Sequence, residues 1–319
     1  MRWSQPEGQS LIDQLSNEHM TFMGGIELKA TDSQSFGGLS SIMVNKEGTV
    51  LTAISDYSMR KNIPLNQRSK VFNIKLAYNE DGSLKRAEVK GVTSIVDHTG
   101  IRLQGELESI ARMGDKLYGS LDNGRNRADT IWMLKEQENG NLKLADPLFI
   151  SDFPTEYNRE GIEAMTEMGD GNLWLIHERL PEKTEGSIRY SWNINPITGV
   201  VTNHTYHSHL EEVKGACMLE GGGYIVLEKT YYRNNGINRI ALFNVNNDDL
   251  ESDIIKGKLL IDVESKYLDN FEGLTSFKKD DTNYLLVISD NNGDWNLDQN
   301  GKTRQKTLLL LFKVTQSKN

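Results

Sequence analysis

Five short stretches of this sequence place a charged or very small residue one step into an apolar segment. They are FGGLS from Phe36, LESIA from Leu107, IEAMT from Ile162, VKGAC from Val213 and FEGLT from Phe271. A second apolar run follows each one and ends on an acid: Asp56, Asp122, Glu178, Glu228 and Asp290. Three of the stretches carry Glu108, Glu163 and Glu272 in the charged slot, which holds Gly37 and Lys214 in the other two. Carboxylates brought together in this way can hold a hard cation such as Ca2+ through oxygen alone. They can also orient a water or move a proton. Without cations nearby they raise one another's pKa.

Basic residues follow the second acids. Arg60 and Lys61 come after Asp56, Arg125 and Arg127 after Asp122, and Arg179 after Glu178. Lys229 and Arg233 come after Glu228, and Arg304 after Asp290. Guanidinium matches phosphate oxygens in a fork, so these arginines beside a metal-binding carboxylate set suit a phosphate. Local pairing of solvated loop charges is the other reading of any one of them. The last of these loops, NNGDWNLDQNGKT, contains Asn296, Asp298, Asn300 and Gly301, the start of a calcium-loop pattern without its far glutamate. That absence rules out an EF-hand and leaves either a looser calcium loop or an Asn/Asp turn. His204, His207 and His209 in HTYHSH could bind metal, or could simply be exposed on an outer strand. No G-x-S-x-G, H-E-x-x-H or P-loop occurs, so serine hydrolase, zincin and NTPase readings lack a motif.

The elements that must position these residues are strands. The five copies start about 50 to 70 residues apart, each with several β-rich runs, which indicates a propeller of four-stranded meanders. In such a blade the start of the first strand and the end of the second lie at one edge. Glu108, Glu163, Glu272, Asp56, Asp122, Glu178, Glu228 and Asp290 are therefore expected around one mouth of the axial channel. The alternative for each acid is that it caps a neighbouring blade's backbone. The last copy has only three strands, and the N-terminal run Phe22–Ala30 is left to complete it and close the ring. Five four-stranded blades follow from the count, with six as the alternative because residues 96–106 are unassigned. Residues 1–20 read as a loosely attached polar segment and 21–315 as one propeller domain.

The 319 residues are 37% hydrophobic and 25% charged, which is ample for a globular core. A net charge of −9 argues against a general nucleic-acid binder. No apolar run is long enough to span a membrane. The single cysteine, Cys217, excludes an internal disulfide and reads as a small buried residue. The first residues show no signal peptide.

The repeat residues resemble the phytase-like family, "esterase-like activity of phytase", a group of bacterial β-propeller proteins. The resemblance rests on FGGLSSI with AISDYSMR, on LESIA and NREGIEAMT, and on NFEGLT, VISDNN and RQKTLLLLF. It implies a propeller, an exported protein in the periplasm or outside the cell, and ester or phosphoester hydrolysis. The combined expectation is a metal-dependent hydrolase of a phosphate ester or similar anionic small molecule. Glu108, Glu163, Glu272 and Asp290 would be catalytic, with Arg60, Arg127, Arg304 and Lys214 on the substrate. Asp56, Asp122, Glu178, Glu228, Asn296, Asp298 and Asn300 would be available to Ca2+. A non-catalytic binding propeller with a structural calcium is the alternative.

Overall fold

Leucine- and valine-rich runs such as YLLVIS and TLLLLFKV have no polar alternation, as expected of strands covered on both faces. Charged runs such as LKRAEVKG suit an outer edge, where charge blocks further strand pairing. The computed structural model describes residues 11–29, 36–56, 69–103, 105–122, 129–148, 161–178, 188–292 and 305–315. Its chain is all-β and folds as a β-propeller.

The N-terminal strand β1 (Met20–Leu28) is followed by the meander β2 (Leu39–Val44), β3 (Val50–Ser55), β4 (Lys70–Tyr78) and β5 (Leu84–Val96). The second meander is β6 (Glu106–Met113), β7 (Lys116–Asp122), β8 (Thr130–Glu136) and β9 (Leu142–Pro147). The third is β10 (Ile162–Glu167), β11 (Leu173–His177), β12 (Ile188–Ile194) and β13 (Val201–His207). The fourth is β14 (Glu212–Met218), β15 (Tyr224–Tyr232) and β16 (Ile237–Val245), then β17 (Ile254–Lys256) and β18 (Lys258–Ser265). In it β18 is the outer strand, while β17 crosses to pair in parallel with β13. The last unit is β19 (Asn270–Lys279), β20 (Thr282–Asp290) and β21 (Thr307–Val314), and β1 pairs antiparallel with β21 as its fourth strand.

The innermost strands contact one another in the cyclic order β2, β6, β10, β14, β19 and back to β2. Among the described residues no sixth meander occurs. Residues 97–102 instead form a turn closed by a bridge from Val96 to Arg102. The outer strands β5 and β9 also pair in parallel, so the first two blades share one eight-stranded sheet.

Turns and close approaches explain the glycines that matter most. Gly221, Gly222 and Gly223 have φ of 102°, 111° and 84°, a run that side chains rarely permit. On β19 a Cβ at Gly273 would lie 2.6 Å from Ile288 Cγ2 and 3.0 Å from Ile42 Cγ1, so only glycine lets the last and first inner strands meet.

The segment before β1 differs from its expectation. Leu11 and Leu15 are buried at 2% and 0% exposure in the core shared by the fourth and last blades. The Asn17 side-chain amide donates to Leu260 O at 2.6 Å. Each buried leucine contributes on the order of 2 kcal/mol, so residues 11–20 are anchored rather than loose. No helix among the described residues is long and apolar enough to cross a membrane.

Candidate functional site

Each inner strand has one register shift near its start, and the extra residue is the one that matters. The shifts fall between Leu39 and Ser41, Leu107 and Ser109, Ile162 and Ala164, Val213 and Gly215, and Phe271 and Gly273. The bulged residues are therefore Ser40, Glu108, Glu163, Lys214 and Glu272. A bulge leaves one residue outside the ladder and re-aims its side chain, a device common beside active sites. The same alignment corrects the expectation for the first blade, in which Gly37 takes the glutamate slot. LSSI from Leu39 is the equivalent of LESI from Leu107, so Ser40 holds that position, and its hydroxyl donates to Leu107 O at 2.9 Å. Asp56 N donating to Gly38 O, like Glu178 N to Gly161 O, marks the same register.

Lys214 is the electrostatic centre of the ring. Its ammonium contacts Glu178, lies 3.4 Å from Glu163, 3.7 Å from Glu272 and 3.9 Å from Glu212. Burial alone would lower its pKa, but Glu163, Glu178, Glu272 and Glu212 together hold it well above the usual ammonium value. Lys229 supplies a second cation, 3.1 Å from Glu212 and 3.5 Å from Glu272, with Asn270 accepting from it. Asn270 in turn donates to Glu272 at 2.7 Å. Lys214 is expected on the substrate, but its ammonium is committed to carboxylates.

On the other side of the ring the described residues place fewer cations. Glu108 is 8% exposed, and no cation lies within ion-pair distance of it among the described residues. Burial, then Glu163, Asp56 and Glu106, push its carboxyl well above the usual range. Ligand oxygens of Glu106, Glu108 and Asp122 lie within 4.8 Å of one another, so this acidic triad can hold a metal ion. Three carboxylates offer only hard oxygen donors, which fits a hard divalent cation. Glu163 borders the triad. Burial pushes its carboxyl well up, with Glu178 and Glu272 adding to this and Lys214 only partly offsetting it. One of its oxygens, Oε2, is buried without a hydrogen-bond partner among the described residues.

Two of the expected site acids are turned into the framework. Asp290 Oδ1 accepts Leu39 N at 3.1 Å, capping the first blade from the last. Glu228 is fully buried and accepts Tyr206 Oη at 2.8 Å and both His209 N and Leu210 N at 2.7 Å. With Arg189, whose Nη2 donates to Leu210 O and Glu211 O, it fixes the loop that delivers Glu212 and Lys214. Burial outweighs the three donors and places the Glu228 carboxyl at about 7.

Arg60, Lys61, Arg125, Arg127, Arg179, Arg304, Asn296, Asp298 and Asn300 lie outside the described residues. His204 binds Asn193 and Ser252 O, and His209 stacks on Phe243 at 4.6 Å, so these histidines sit on an outer strand and its following loop. Burial pushes the Cys217 thiol up to about 12, which leaves it inert at neutral pH. Sequence reading passed over Glu106, Glu212 and Asn270. All three stand two residues before a ring residue, where strand alternation returns to the same face. Asp129 was also passed over. Its Oδ2 accepts Ile162 N at 2.9 Å, and burial followed by Asp122 raises its carboxyl to about 7.

With this geometry in place, comparison with known proteins bears on identity. The family model described as "Phytase-like: Esterase-like activity of phytase" matches residues 34–293. The chain belongs to the phytase-like family. No curated protein matches it in sequence. Among solved structures, the phytase-like chain is similar to an endo-arabinase from Bacteroides thetaiotaomicron VPI-5482. The TM-score is 0.52 at 13% identity, covering 92% of this chain and 99% of the other. It is also similar to a GH32 β-fructofuranosidase from Bombyx mori in complex with sucrose, with a TM-score of 0.50 at 10% identity, covering 94% and 64%. At such identities the likeness shows the propeller fold alone.

Proposed function

We propose that this phytase-like propeller is a hydrolase of a phosphate ester, acting at the axial mouth where Glu108, Glu163 and Lys214 meet. The observation that carries the reading is the Glu106–Glu108–Asp122 triad beside Glu163, a buried carboxyl with one unpartnered oxygen. The triad would hold a divalent cation, with Ca2+ first in line for an all-oxygen site. A cation there supplies charge that polarises a phosphoryl oxygen and acidifies bound water.

The chain's own residues do the rest. Glu108 must lose its proton to become a ligand, so cation affinity rises with pH. Glu163 keeps one oxygen towards Lys214, and its free oxygen can take a proton from an attacking water or return one to a leaving group. Lys214 and Lys229 hold Glu163, Glu178, Glu212 and Glu272 in place and lower the local negative charge that would repel an anionic substrate. In this reading Glu272 anchors the two lysines, and Asp290 and Glu228 brace the backbone. Asp56 adds to the acidic field on Glu108. Arg60, Arg127 and Arg304 remain the candidates for gripping phosphate, and Asn296, Asp298 and Asn300 remain the candidate second calcium loop.

The test is release of p-nitrophenol from p-nitrophenyl phosphate by chelator-treated protein, with Ca2+, Mg2+ or Mn2+ restored one at a time. Cation-dependent turnover is expected. Silence with every cation, together with a raised melting temperature in Ca2+, would favour a binding propeller with a structural metal.

A further inference from the structure

The axis has a second mouth, and its chemistry differs from the first. A cavity of about 420 Å³ opens at the end where the inner strands finish. All five inner strands supply consecutive residues to it, from Ile42 on β2 to Ser276 on β19, so it lies on the axis. Its floor comprises Ile42, Ile110, Met165, Ala216 and Leu274, each two residues beyond a member of the charged ring. Ala216 is the smallest side chain of this apolar layer. The volume falls in the range of small-molecule sites, which run from roughly 300 to 1,000 Å³ and are mostly apolar with a few polar groups.

The rim sets the sign of the ligand. Lys278 is neutralised by Glu220 at 3.9 Å and Asp281 at 3.4 Å. Lys46 and Arg112 have no carboxylate within ion-pair distance among the described residues, and both are exposed. The remaining acid, Glu167, has its carboxyl pushed up by burial, with Arg112 only partly offsetting this. The rim thus carries Lys46, Arg112 and Lys278 against Glu167 and Glu220, and an apolar floor beneath this excess of positive charge is complementary to an anion with a hydrocarbon body.

We infer that this second mouth is a binding site for a small amphipathic anion, with its chain on Ile42, Ile110, Met165 and Leu274 and its head at Lys46 and Arg112. The site is separate from the charged ring and does not depend on the hydrolase reading.

Calorimetric titration with decanoate tests it, with decanol as the uncharged control of equal chain length. Decanoate should bind one to one and decanol about tenfold more weakly or less, the scale of one lost charge contact. Lys46→Glu with Arg112→Glu, both exposed changes, should weaken decanoate about tenfold and leave decanol unchanged. Ala216→Phe should abolish binding of both by filling the floor, whereas Asp122→Asn at the other mouth should bind decanoate as the wild type does. Absence of decanoate binding to the wild type, or equal affinity in the charge-reversed variant, would overturn the inference. So would loss of binding in Asp122→Asn.

Discussion

At Lys214 a single buried ammonium answers four carboxylates from three blades and a loop. Removing one partner of a buried ion cluster leaves the rest uncompensated, which costs about 3–5 kcal/mol. Lys214→Met is expected to lose stability on that scale in denaturant unfolding, and an unchanged midpoint would contradict the assignment. Two other buried acids make a different prediction. Asp129 and Glu228 hold protons up to about pH 7 in the folded chain, against ordinary values of 3.8 and 4.5. A carboxyl with a raised folded pKa adds stability that is complete below its unfolded value and is lost as pH climbs through the folded one. Stability should therefore fall between about pH 4 and pH 7, by up to about 1.4 kcal/mol per pH unit for each such group. Asp129→Asn keeps an acceptor for Ile162 N and should flatten that fall. Equal slopes in variant and wild type, by thermal melts across the range, would refute the shift. Residue types revealed that acids and a lysine share one mouth. They could not reveal which carboxylates face the axis, because Glu228 and Asp290 end the same strand as Asp122 does.

Among the elements, the bulge on each inner strand decides where the ring lies. Phe-Gly-Gly-Leu-Ser in the first repeat imitates Phe-Glu-Gly-Leu-Thr in the last, so matching the letters sets Gly37 against Glu272. Backbone pairing sets Ser40 there instead, three residues on. A bulge shifts the phase of the alternation by one residue, so the apolar residues flanking it, such as Leu107 and Ile110 in one core cluster, stand three apart and strict two-residue patterning misplaces the slot. The N-terminal strand, in contrast, was legible. The last repeat lacked a strand, Phe22–Ala30 had none to pair with, and β1 lies against β21. Phe22 packs on Phe312 with ring centroids 5.6 Å apart, and Leu308, Leu310 and Phe312 are buried under this cover. Deleting residues 1–28 should expose that edge and turn a monodisperse protein into aggregate on gel filtration. A soluble truncated chain with an unchanged unfolding midpoint would contradict β1 as the closing strand.

The whole molecule is a ring of meanders whose axis carries a buried charged ring at one mouth and a floor of apolar side chains at the other. Period and strand content in the sequence led to the propeller, because each blade repeats its strands and turns even where identities drift. The joins between blades were not legible. Parallel pairing of β5 with β9 and of β13 with β17 depends on how outer edges meet after the ring closes. The proposed chemistry depends on that closure too, since the charged ring is built from five strands far apart in sequence. Its most direct test is a paired measurement of Ca2+ affinity by calorimetry and p-nitrophenyl phosphate turnover in the wild type, Glu106→Gln and Asp122→Asn. Both quantities should fall together by at least about tenfold in each variant, the scale of one lost charged ligand, while the unfolding midpoint of the calcium-free protein stays level or rises. Turnover that persists in Asp122→Asn after its calcium binding is gone would contradict the acidic triad as the reactive centre.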